Sequence, residues 1–121
     1  MSALPPGLTI LLVEDEPIIA MTAEDMLEVL GCVVAASAAT LMEALAAAAR
    51  GGFAAAVLDI NLGGAVSFPV ADMLKSAGIP FIFTTGYGAA GAGPGHRDVP
   101  LVTKPYQLAD LERALAKAIA P

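Results

Sequence analysis

The chain has no tryptophan, one cysteine and one histidine among its 121 residues. A lone cysteine, Cys32, cannot close an internal disulfide, so burial must hold the fold, and a reducing, cytoplasmic compartment is expected. Cys32 itself reads as a small buried or half-buried residue with little redox meaning. Basic residues are scarce: six Lys and Arg stand against twelve Asp and Glu, for a net charge of −6. No Lys/Arg cluster is present to track phosphates, which argues against a direct nucleic-acid surface. A cation or a basic protein partner is the natural complement. No apolar run approaches the ~18 residues of a membrane span. The opening MSALPPG lacks the charged-then-apolar pattern of a secretory signal, so no membrane association is expected.

What the chain does have is apolar bulk, 57% of residues against 15% charged, much of it alanine. That composition packs and does not disorder. The length allows one domain, residues 1–121, with no second domain expected.

Five short apolar runs recur: TILLV (9–13), VVAA (33–36), AAVL (55–58), PFIFT (80–84) and LVT (101–103). None alternates cleanly, so they read as strands buried on both faces, as in a parallel sheet. Between the first two, Ile19, Ala23, Met26, Leu27 and Leu30 fall at helical spacing, with Glu24, Asp25 and Glu28 opposite. Pro17 suits a first helical turn and Gly31 a stop. A second helix is expected from Thr40 to Arg50 and a third from Val66 to Ala77, with Val70 and Leu74 inward. A last helix carries Leu108, Leu111, Leu115 and Ile119 on one stripe. Strands alternating with helices predict an α/β, (βα)5 doubly wound parallel sheet with helices on both faces.

The stretch GYGAAGAGPGHRDVP (86–100) breaks the rhythm. It fills the slot of the fourth helix, yet each glycine costs roughly 1 kcal/mol relative to alanine there. A short or frayed helix, or a loop that orders on activation, is expected, with His96 solvated within it.

The polar residues collect at strand ends. Strand one ends in Glu14-Asp15-Glu16, strand three in Asp59, strand four in Thr84-Thr85, strand five in Lys104-Pro105. In an open parallel sheet these carboxyl ends share one edge, where ligands bind. Clustered carboxylates repel unless a cation sits among them, and hard oxygen ligands suit Mg2+. A magnesium ion bridging Asp15 and Asp59 would bind a phosphoryl oxygen, while Lys104 and a Thr84 or Thr85 hydroxyl covered others. Asp59, ending the apolar run AAVLD, would then be free to attack phosphorus and form an acyl phosphate.

The pieces LLVEDEP, AVLDINLGG, FIFTTGYG and LVTKPY, in this order, resemble the receiver domain of two-component response regulators over essentially the whole chain. The resemblance implies a flavodoxin-like fold with strand order 2-1-3-4-5. It implies Asp59 as phospho-acceptor, Asp15 as direct Mg2+ ligand, Glu14 in support and Asn61 coordinating through its backbone carbonyl. Lys104 would contact the phosphoryl group, Thr85 would supply the hydroxyl that moves toward it, and the Lys104–Pro105 bond would be cis. FTTGYG is similar to the FAT-GUY subgroup of stand-alone receivers, associated with HWE-type histidine kinases, with Thr84 where that subgroup has alanine. A receiver without an output domain, monomeric or weakly dimeric, would catalyse only its own phosphorylation and dephosphorylation and signal through protein contacts. Leu101 stands where receivers usually carry an aromatic residue, leaving Tyr87 or Tyr106 to couple in its place. The alternatives are a magnesium-dependent aspartyl-phosphate phosphatase and an inert receiver-like adaptor. The first usually keeps its nucleophile on strand one, and the second would have lost pocket residues that are all present here.

Overall fold

The computed structural model describes residues 3–86 and 94–120. Among the described residues, seven strands and four α-helices follow in the order β1 Thr9–Val13, α1 Pro17–Val29, β2 Val33–Ala38, α2 Leu41–Arg50, β3 Ala55–Asp59, β4 Asn61–Leu62, β5 Ala65–Val66, α3 Phe68–Ser76, β6 Phe81–Thr85, β7 Leu101–Thr103 and α4 Leu108–Ile119. Five of the strands form one parallel sheet in the order β2-β1-β3-β6-β7, while β4 and β5 make a separate antiparallel hairpin. With the hairpin set aside, this is the doubly wound 2-1-3-4-5 arrangement that the resemblance to receiver domains implies.

Alternation along the strands splits the core in two. Ile10, Leu12, Val57, Ile82 and Val102 face α1 and α4, meeting Ala23, Leu27, Leu111 and Leu115. Leu11, Val13, Ala56, Leu58 and Phe83 face α2 and α3, meeting Ala44, Ala47, Val70 and Leu74. The small alanines let α2 lie close against the sheet, and β3 is buried along its whole length at the sheet centre. Local chemistry sets the helix ends. Pro17 occupies the first turn of α1, and the Thr40 hydroxyl caps α2 by accepting from the Glu43 amide at 3.1 Å.

Three expectations need correction. β2 is an edge strand whose residues alternate between exposed and half-buried up to Ala38, so it is not covered on both faces. The third helix starts at Phe68, because Val66 is taken by the hairpin. His96 is buried, 6% exposed, and not solvated. It ends a 3-10 turn, Pro94–His96, with its ring 4.8 Å from Phe68 and 5.4 Å from Phe83. Lys75 of α3 holds the same turn by donating to the Gly95 carbonyl at 2.6 Å. Tyr87 and the rest of residues 87–93, on which most of the expected fourth helix and its ordering fall, lie outside the described residues. The Lys104–Pro105 bond is cis. No helix among the described residues is long and apolar enough to cross a membrane.

Candidate phosphorylation site

The carboxyl ends of β1, β3 and β7 deliver the polar residues to one edge of the sheet. Because β1 and β3 are paired in register, Val13 beside Leu58, the residues that follow them come side by side. Glu14, Asp15 and Asp59 each offer a carboxylate oxygen within 4.8 Å of the others. Glu14 and Asp59 are each only 4% exposed, while Asp15 is half-buried. Asp59 is the last residue of β3, not the first of the loop, so the rigid centre of the sheet carries it.

Lys104 follows β7, and its backbone amide donates to the Thr85 carbonyl at 2.7 Å, which ties it to the end of β6. Its ammonium donates to Asp59 Oδ2 at 2.8 Å and lies 2.6 Å from Glu14 Oε1. Burial alone would lower the Lys104 pKa, but the hydrogen bonds to Asp59 and Glu14 outweigh it and hold the group above its ordinary range. Burial pushes the Glu14 carboxyl up to about 7, although Lys104 and the Glu16 amide pull the other way and nearby Asp59 adds to the rise.

Backbone donors complete the arrangement. The Asn61 amide donates to Asp59 Oδ1 at 3.3 Å, and the Gly63 amide to Asp15 Oδ2 at 3.0 Å. Asp15, Asp59, Asn61, Gly63 and Lys104 line a cleft of about 240 Å³, which Gly86 borders. Thr84 is the register partner of Asp59 on β6, and Thr85 ends that strand fully buried. Tyr106 is buried in the α1–α4 half of the core, and burial pushes its phenol up to about 12.

Three carboxylates share the cluster with one ammonium, so negative charge is in excess, and every side-chain donor of the trio is an oxygen. That donor set fits a hard divalent cation such as Mg2+.

Glu14, Asp15, Asp59 and Lys104 therefore come together as the sequence predicts. Asn61 joins through its amide, and Thr85 through its carbonyl to Lys104. The Gly63 contact to Asp15 is absent from the sequence reading, and the signal that points to it is the Gly63-Gly64 pair, a two-residue hairpin turn.

The model of the response regulator receiver domain matches residues 10–116. This chain belongs to that family. As a receiver it is 36% identical over 115 residues to the phyllosphere-induced regulator PhyR of Methylorubrum extorquens, covering 91% of this chain and 43% of that protein. The receiver thus spans less than half the length of that curated relative. The solution structure of SdrG from Sphingomonas melonis Fr1 is similar to it from end to end, with a TM-score of 0.85 at 44% identity over 99% of this receiver and 100% of SdrG. The BeF3-activated conformation of SdrG from Pseudomonas melonis Fr1 gives a TM-score of 0.80 at 40% identity over 97% and 100%.

Proposed function

We propose that this receiver accepts a phosphoryl group on Asp59 from a phosphohistidine of a sensor histidine kinase, of the HWE type, in a cytoplasmic phosphorelay. The single observation that carries the reading is the buried Asp59 carboxylate, gripped by Lys104 at 2.8 Å within 4.8 Å of two further carboxylates. In the transfer, an Asp59 oxygen forms a bond to phosphorus as the phosphorus–nitrogen bond to the donor imidazole breaks, and the departing nitrogen keeps the bond's electron pair. The central position of β3 restrains Asp59, so little orientation has to be found at the moment of reaction. The Lys104 ammonium, already on Asp59 Oδ2, lies where negative charge on the transferred group needs a partner.

Glu14, Asp15, Asp59 and the Asn61 carbonyl would hold Mg2+, which supplies charge neutralisation for the incoming phosphoryl oxygens. Thr85, at the end of β6, is the hydroxyl assigned to the phosphorylated state. The protein would catalyse only its own phosphorylation and dephosphorylation. Solved relatives are described as a stress response regulator and, from Bartonella quintana, as the anti-anti-sigma factor PhyR. These descriptions support the reading that this receiver acts in stress signalling through reversible protein contacts, as a monomer or weak dimer.

Acetyl phosphate with Mg2+ should add one phosphoryl group, visible as a single mass increment. Asp59→Asn should abolish it. Undiminished labelling of that variant would overturn the assignment, and a panel of purified histidine kinases would identify the donor.

A further inference from the structure

The β4–β5 hairpin stands in the loop between β3 and α3. Asn61 and Leu62 pair with Val66 and Ala65, and the turn is made by Gly63 at φ 59° and Gly64 at φ 95°. Two successive residues with positive φ make the primed turn that matches the natural twist of a two-residue hairpin, and glycine enters it without strain. In such a hairpin the residues next to the turn use their amides on each other. The amides one residue to either side point to the opposite edge of the strand. Asn61 and Gly63 are two apart, so their N–H groups face the same way.

Those two outward amides meet two carboxylates that arrive on different strands. Asn61 donates to Asp59 Oδ1 at 3.3 Å, and Gly63 donates to Asp15 Oδ2 at 3.0 Å. The two carboxylates repel, and Lys104 reaches Asp59 and Glu14. The Gly63 amide is the hydrogen bond that the Asp15 side chain makes among the described residues. It uses one Asp15 oxygen and leaves the other for a cation.

We propose that the Asn61–Val66 hairpin is a positioning element that sets the spacing of Asp59 and Asp15 before any cation or phosphoryl donor arrives, and that Gly63 is the residue that positions Asp15. The inference rests on the reading of Asp15 as a Mg2+ ligand and deepens it. Partners that orient a metal ligand typically change affinity by about 10–100-fold when lost.

The test uses the full chain and Mg2+ alone as probe, followed by ¹⁵N NMR titration, with the acetyl phosphate rate measured as a function of Mg2+. Gly63→Pro deletes the donor and cannot adopt a φ of 59°. An ester in place of the Leu62–Gly63 peptide bond deletes the donor, weakens the Leu62 carbonyl as an acceptor but leaves the turn free to form, and serves if the proline variant fails to fold. Both should weaken Mg2+ binding about tenfold and leave the rate at saturating Mg2+ little changed. Gly63→Asn keeps the amide and tolerates positive φ. A Cβ there would meet Asp15 Oδ2 at 3.9 Å, an ordinary contact, so this variant should bind Mg2+ like the parent. In the metal-free parent the Gly63 amide should exchange slowly, and Asp15→Ala should accelerate it.

Unchanged Mg2+ affinity in both donor-deleted proteins, or Gly63 exchange indifferent to Asp15→Ala, would overturn the inference. A parent that binds no Mg2+ would instead sink the metal reading, and the exchange measurement would still decide whether the hairpin positions Asp15.

Discussion

Lys104 lies closer to Glu14 than to Asp59: its ammonium is 2.6 Å from Glu14 Oε1 and 2.8 Å from Asp59 Oδ2. One cation therefore serves two buried carboxylates, and Glu14 is engaged by the lysine before any metal is considered. In the proposed transfer the lysine would face the phosphoryl group, and in the metal-free site it is the counter-ion of two buried carboxylates.

Lys104→Ala should accordingly destabilise the Mg2+-free protein by about 3 kcal/mol, the low end for stranding a buried ion pair. The low end applies because Glu14, already pushed up to about 7, can take a proton when its partner is gone. Guanidinium unfolding followed by circular dichroism in EDTA reads this directly, and a loss below about 1 kcal/mol would mean that water takes the place of the ammonium.

Asp15→Asn should have the opposite sign. It removes one negative charge from the trio and keeps an oxygen for the Gly63 amide. The metal-free variant should gain stability, by up to about 1 kcal/mol, the range of a partly exposed charge pair, because the remaining carboxylates repel less. Millimolar Mg2+ should stabilise the parent, and this variant should lose that gain. Thermal unfolding with and without Mg2+ gives both quantities.

His96 fills the space between Phe68 and Phe83, and its Nδ1 is buried with no hydrogen-bond partner among the described residues. His96→Ala should cost about 2 kcal/mol by opening a cavity and removing the ring contacts. His96→Phe should cost little or stabilise, since it keeps a ring and deletes the unsatisfied nitrogen. A phenylalanine variant as unstable as the alanine one would show that the 3.8 Å approach of Nε2 to Asp72 matters more than the packing.

Cys32 is buried, and burial pushes its thiol above the ordinary value of 9.0. As pH rises past that value the unfolded chain releases the proton first, so this group contributes a loss of stability on the alkaline side. Near pH 8 its thiolate is rarer in the native state than in the unfolded one. Alkylation of the native protein by iodoacetamide should be at least about 100-fold slower than that of the denatured chain, as a local opening of about 3 kcal/mol imposes. Equal rates would place Cys32 in a segment that opens freely.

Much was legible in the sequence because it rests on local pattern. Apolar runs such as AAVLD and LVT, spaced by helical stripes such as Leu111–Leu115, determined a doubly wound sheet. Chain order then put Asp15, Asp59 and Lys104 at one edge, since parallel strands joined by helices all end on the same side. What tertiary structure decided is where a residue's surroundings come from distant parts of the chain. β2 alternates between exposed and half-buried residues because it lies at the sheet edge, a position that the unbroken apolar run VVAA does not by itself record. His96 is buried because α3 brings Phe68, Asp72 and Lys75 against the Pro94–His96 turn, which belongs to a stretch that reads as a solvated loop in the sequence. The Gly63 amide reaches Asp15 across 48 residues of sequence because a two-residue turn aims it there. Hydrophobic periodicity carries the direction of each side chain relative to its own element; the partner it meets depends on packing between elements, which no local pattern encodes.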